Sequence, residues 1–174
     1  MHILDIAENS IRAGAKHIVI RLEIDSVNDF LKIVIEDDGE GMTEEQLKRA
    51  TDPFFTNRPD GKVGLGLPML DEASKAAAGR LSIDSSVGAG TTVTAMFQLS
   101  HIDRKPVGSM SETMVTLIAG HPGVDFKYLY RFDSQTCTVN TEEIKHSLGG
   151  VAINSADVLN FIRNYIRENT TGFS

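Results

Sequence analysis

The residues best placed to do chemistry stand in Glu36-Asp37-Asp38-Gly39-Glu40-Gly41-Met42, an acidic turn after the apolar run Leu31 to Ile35. Asp37, Gly39 and Gly41 form D-x-G-x-G. A carboxylate fixed at a strand end can accept a hydrogen bond from an exocyclic amine, and each glycine removes a Cβ that would block close approach or forbid positive φ. An ordinary hairpin turn could carry the same residues. A calcium loop is a poorer fit, because the spaced acidic ligands and distal glutamate of such loops are missing.

A second polar row lies upstream. Over residues 2–14, Ile3, Ala7, Ser10 and Ile11 share one helical face, with Gly14 as a C-terminal stop. Asp5, Glu8, Asn9 and Arg12 fall at spacings of three and four and form a polar row on the same helix. A helical Asn or Arg on a polar face is most often merely solvated, so the row gains meaning only from what accompanies it.

The elements that must position these residues can be read in order. Alternating runs at His17–Asp25 and 30–36 predict a hairpin with one buried face, whose second strand delivers Asp37. Thr43-Glu44-Glu45-Gln46 is a capping box that opens a short helix to about Ala50. Residues 51–63 contain two prolines, adjacent Phe54 and Phe55 and no sustained period, as expected of a lid or binding loop. Gly64-Leu65-Gly66-Leu67 then opens a helix to roughly Ala78, capped by Gly79. It is no Rossmann fingerprint, since residue 69 is Met and no strand feeds it, and Gly61-Lys62-Val63 lacks the Ser/Thr of a Walker loop. Runs at Arg80–Ser86 and 91–99 predict a second hairpin.

Past Ser100 the pattern predicts a helix from the capping residues Ser109 to Glu112 to about Gly120. A strand pair follows at 125–132 and 135–139, then helices at 141–148 and 155–168. No catalytic constellation and no internal repeat are visible there.

Composition bounds the function class. The net charge is −7, with 10 Lys/Arg against 16 Asp/Glu in residues 1–100, which excludes a general nucleic-acid surface. The single cysteine, Cys137, excludes an internal disulfide and a cysteine-rich zinc site. No stretch approaches the roughly 20 apolar residues of a membrane span and no basic-then-apolar leader pattern is present. No membrane association is expected, and a cytoplasmic setting is.

Taken together, the Asp-x-x-x-Asn helix, D-x-G-x-G after a hairpin, a Pro-Phe-Phe-Thr loop and Gly-x-Gly-Leu opening a helix stand in one order. That order resembles the GHKL ATPase superfamily over residues 1–99, closest to the histidine-kinase ATP-binding domain. The resemblance implies a two-layer α/β sandwich of the GHKL ATP-binding type over 1–100, with a C-terminal α+β annex over 101–174. It implies ATP and Mg2+ as cofactors and a protein partner, as phosphoacceptor or as docking partner. By position, Asn9 matches the magnesium ligand, Asp37 the acceptor of the adenine amine, and Gly39 and Gly41 the glycines that give the base room. Phe54 and Phe55 match the aromatic box ahead of the lid. Gly64 and Gly66 match the phosphate-facing glycines, Thr91 or Thr92 the late Gly-Thr element, and Arg12 a phosphate-binding cation. Asp5 stands where many family members have a catalytic glutamate, one methylene shorter, with Glu8 as an alternative base.

The family also carries a helix and a strand ahead of this point and, in kinases, an upstream phosphoacceptor histidine. The sheet is therefore expected to lack a strand or to take one from the annex, and autophosphorylation in the usual kinase arrangement is not expected. Two activities follow: magnesium-dependent phosphoryl transfer to a partner or slow hydrolysis, and alternatively a nucleotide-gated interaction module with little turnover.

Overall fold

The computed structural model describes residues 2–54 and 65–170. Helix α1 (Ile3–Arg12) is followed by the antiparallel strands β1 (His17–Asp25) and β2 (Phe30–Asp37), then by helices α2 (Glu44–Lys48) and α3 (Gly66–Ala76). Strands β3 (Arg80–Ser86) and β4 (Gly90–Gln98) form the second hairpin. Next come α4 (Met110–Gly120), β5 (Asp125–Phe132), β6 (Gln135–Asn140), α5 (Thr141–Ser147) and α6 (Ala156–Asn169).

All six strands belong to one mixed sheet, ordered β3-β4-β2-β1-β5-β6. β1 and β5 are the parallel pair, with Ile18 opposite Phe126 and Ile24 opposite Phe132. The strand sought ahead of α1 is thus matched by one from the C-terminal segment lying along β1. Ile18, Ile20, Leu22 and Ile24 of β1 alternate into the same buried cluster as Ile3 and Ala7 of α1, Met114 of α4 and Ile162 of α6, so the core is continuous across residue 100.

The other face of the sheet is charged. Arg21 pairs with Glu36 at 2.9 Å, and Glu23 pairs with Lys32 at 3.9 Å and with Arg131. The molecule is therefore a two-layer α/β sandwich, with α1, α3, α4 and α6 packed on the apolar face of the sheet.

Local signals place the helix ends. Thr43 accepts from the Gln46 N–H while the Gln46 side chain accepts from the Thr43 N–H, a complete capping box. Ser109 caps α4 through the Glu112 N–H, but the Glu112 carboxylate is drawn away to Arg163 at 2.8 Å. At the end of α3 the expected glycine stop is corrected: Ala78 takes the left-handed conformation, with φ 53°. Gly79 serves close packing instead, since a Cβ there would overlap the Met96 carbonyl.

Candidate functional site

Asp37 ends β2 on the face that carries Ile33 and Ile35, where its carboxylate meets α1. Oδ2 accepts from the Ser10 hydroxyl at 2.6 Å, and Oδ1 accepts from the Gly39 N–H at 2.9 Å. Each carboxylate oxygen has a further lone pair, so the half-buried group keeps capacity for another donor on either oxygen. Ser10 was visible in the sequence only as a member of the apolar face of α1. Its signal is a hydroxyl on an otherwise apolar helical face, where burial leaves it in need of a partner.

The glycines of the acidic turn pack closely against backbone. A Cβ on Gly39 would stand 2.9 Å from the Ala13 carbonyl oxygen, and one on Gly41 would overlap the Ser86 carbonyl. Gly90, at φ 81°, would overlap the carbonyl of Asp37 itself. The space saved by these missing side chains is filled by protein backbone: the turn is pressed between the end of α1 and the β3–β4 loop. Bonds from Glu40 N–H to Ala13 O (2.8 Å) and from Gly88 N–H to Glu40 O (2.8 Å) seal both sides. The absence of side chains at Gly39 and Gly41 therefore lets the turn that follows Asp37 pack this closely.

Register separates the two threonines. Thr91 lies opposite Asp37 on one side and Ser85 on the other, so it shares the helix-facing side of the sheet with Asp37. Thr92 lies opposite Glu36 and Asp84 on the charged face, away from Asp37. The Ser85 hydroxyl donates to Gly90 O and accepts from Met42 N–H, both at 2.9 Å, and stands 2.9 Å from the Thr91 hydroxyl. With Ser85's single proton on Gly90 O, the Thr91 hydroxyl is the donor between the two.

Asn9 Oδ1 accepts from the Arg12 guanidinium at 2.8 Å. Asp5 is 59% exposed, and its Oδ2 accepts from the His2 ring Nδ1 at 3.0 Å. Next to it lies the start of α3: a Cβ on Gly66 would be 3.0 Å from Asp5 Cβ. The N-cap residue of α3, Leu65, has no side chain able to cap it, so among the described residues the first N–H groups of this helix have no capping side chain. Asp5, on the α1 row that includes Asn9 and Arg12, is thereby brought beside Gly66 at the N-terminus of α3, the end of a helix that carries its positive partial charge.

Glu8 turns away from this row and contacts His121, just past α4, at 3.1 Å. Phe54 is 88% exposed, and its N–H is held by Asp52. Phe55 and Gly64 lie outside the described residues, as does most of the 51–63 loop.

Among the described residues no group of three or more His, Cys, Asp or Glu side chains could cage a metal. A magnesium ion fits this arrangement, because it commonly takes one or two protein oxygens and completes its shell with phosphate and water. The amide oxygen of Asn9, which here accepts from Arg12, is an oxygen of that kind.

Residues 2–101 match the family described as histidine kinase-, DNA gyrase B-, and HSP90-like ATPase. The chain belongs to that family, as a histidine-kinase-like ATPase domain. Sporulation kinase C of Bacillus subtilis (strain 168) is 31% identical over 96 residues, which is 55% of this chain and 22% of that protein. Sensor histidine kinase ZraS of Escherichia coli (strain K12) is 28% identical over 106 residues, 61% of this chain and 23% of that one. This chain thus spans less than a quarter of the length of these relatives.

Among solved structures, the crystal structure of the N terminal domain of a DNA repair protein has a TM-score of 0.57 at 14% identity, covering 87% of this chain and 57% of that one. At that identity the likeness concerns the fold. Its coverage exceeds residues 2–101, so the shared fold takes in part of the C-terminal segment as well. No described helix is long and apolar enough to cross a membrane.

Proposed function

We propose that the chain binds ATP with magnesium and delivers the γ-phosphate to a partner protein, or slowly to water. The observation that carries this reading is the Asp37 carboxylate, held by Ser10 and Gly39 with an acceptor position to spare. The adenine amine suits that acceptor, and Thr91 flanks it on the same side of the sheet. Asn9 would hold the ion, which neutralises phosphate charge when bound. Arg12 and the N-terminal end of α3 would supply positive potential for the phosphate chain, and their contribution would be positioning and charge stabilisation.

The alternative, a nucleotide-gated interaction module with little turnover, is favoured by one observation. Neither candidate base is disengaged: Asp5 is in contact with His2, and Glu8 with His121. A base must reach the water whose proton it takes. Slow hydrolysis follows in either case.

Calorimetry on the whole chain with ATP and GTP tests the central claim. ATP should bind and GTP should bind poorly, since its six-position carbonyl presents an acceptor to an acceptor. Asp37→Asn should abolish ATP binding while the melting curve is kept. Equal affinity of the variant and the natural protein for ATP would remove the claim.

A further inference from the structure

Asp38, the neighbour of Asp37, has no role in the site described so far, yet its carboxylate is the most heavily engaged in the turn. Oδ1 accepts from the backbone N–H groups of Lys16 (2.7 Å) and His17 (2.9 Å), and Oδ2 lies 2.7 Å from His17 Nδ1. These bonds tie the turn to the first residues of β1. Asp37 ties the same turn to α1 through Ser10, so two consecutive carboxylates hold it from two directions.

The contacts continue into the C-terminal segment. His17 Nε2 is 3.8 Å from Asp125 Oδ2 at the start of β5, and the other oxygen of Asp125 receives Lys145 of α5 at 2.7 Å. Lys145 also donates to the Val124 carbonyl at 3.1 Å. Asp38, His17, Asp125 and Lys145 thus form a row along the end of the sheet at which Asp37 stands. Each comes from a different element: the acidic turn, β1, β5 and α5.

We propose that Asp38 and His17 are positioning residues for Asp37, and that the row through Asp125 and Lys145 couples the adenine side of the nucleotide site to the seating of α5. The proposal rests on reading Asp37 as the adenine acceptor. As an isolated ion pair, His17 and Asp38 would contribute little, being 60% and 47% exposed. Their weight is geometric. Asp38 satisfies two backbone donors at the start of β1 and so sets the path by which the chain leaves Asp37, and sub-ångström errors there are felt at a bound base.

Titration supports the geometry. Burial works against ionising Asp38, but the His17 N–H and ring and the Lys16 N–H outweigh it and hold the carboxyl at about 2. His17 is raised above its usual value, first by its bond to Asp38 and then, against some burial, by the charges of Asp38, Asp125 and Glu142. These carboxylates, with Lys145 bound to Asp125, are the charged groups facing the ring. A raised histidine contributes fully below its unfolded value and loses that contribution as pH rises through the folded one.

The test uses the whole chain as natural protein, His17→Gln and Lys145→Met. In the absence of nucleotide, amide hydrogen exchange is read at Glu40 and Gly88, whose N–H groups seal the turn. ATP affinity is then followed from about pH 6 to about pH 9, across the range in which a raised histidine titrates. His17→Gln should speed exchange at both amides roughly three- to tenfold, the span of one modest hydrogen bond, with the global melting temperature nearly kept. It should weaken ATP binding by a similar factor at the acid end, and the gap between variant and natural protein should close as pH rises. Lys145→Met should act in the same direction and less strongly.

Unchanged exchange at both amides in His17→Gln would overturn the positioning role. Unchanged exchange and affinity in Lys145→Met would overturn the coupling to α5. Exchange that responds in a protein that binds no ATP at any pH would uphold the clamp on the turn and refute the adenine reading instead.

Discussion

The Ser10 hydroxyl lies 2.6 Å from Asp37 Oδ2 and joins the helix that carries Asn9 to the strand end that carries Asp37, 27 residues away in sequence. A helix residue one position past the proposed ion ligand thus orients the proposed base acceptor. The phosphate and adenine sides of the site share one side-chain bond.

Ser10→Ala should therefore weaken ATP binding without removing it. Loss of one hydrogen bond to a charged acceptor amounts to about 1.5–3 kcal/mol, or roughly ten- to a hundredfold in Kd. Calorimetry measures it, and an affinity within twofold of the natural protein would show that Asp37 is oriented without the hydroxyl.

Asp5→Glu separates the two activities. Water activation by a base contributes about 10² to 10⁴ in rate. If Asp5 is a base held short by one methylene, phosphate release should rise measurably in the variant. We expect slow hydrolysis in the natural protein and a modest gain in Asp5→Glu. Turnover that persists unchanged in Asp5→Ala would show that Asp5 is not the base and leave Glu8, with its His121 partner, as the candidate.

Gly90 and Gly88 make a graded pair. Both have left-handed φ, 81° and 79°, but a Cβ on Gly90 overlaps the Asp37 carbonyl whereas one on Gly88 meets nothing within 4 Å. Gly88→Ala should cost about 1–2 kcal/mol, the conformational term alone. Gly90→Ala should cost clearly more, because the backbone of the turn must also move. Urea unfolding of the two variants tests this, and equal losses would contradict the close packing of the turn on β4.

Acid should release the turn. Asp38 is depressed to about 2, so its contribution to stability is complete above its ordinary value near 3.8 and is lost as pH falls through the folded value. The urea midpoint of the natural protein should therefore exceed that of Asp38→Asn near neutrality, and the difference should shrink between about pH 4 and about pH 2. A difference independent of pH over that interval would mean that the carboxylate charge plays no part.

Most elements were legible because their signals are local. The alternation of His17–Asp25 and Arg80–Ser86 gives β1 and β3 with the expected ends, and Thr43 with Gln46 gives the start of α2. Pairings across long sequence separations were not legible. Nothing in Asp125–Phe132 announces that it runs parallel to β1, and nothing around His121 points to Glu8. Asp38 read as a filler residue of the D-x-G-x-G motif, because its partners are backbone N–H groups, which every residue but proline carries. The choice between Thr91 and Thr92 needed the register with Asp37, since alternation alone says that the two face opposite ways without saying which way.

The parallel contact of β1 with β5 bears on how the chain behaves when it is cut. A fragment stopping near residue 101 would keep the matched family region and leave the whole outer edge of β1 bare, from His17 to Ile24. Half of those residues are isoleucine or leucine that the C-terminal helices no longer shield, beside a row of unpaired N–H and C=O groups. Such an edge is a template for another strand, and the shortened piece should associate with itself more readily than the whole chain. During synthesis the same edge waits for the ribosome to deliver residue 125, so the last third of the chain acts as the cover strand of the first.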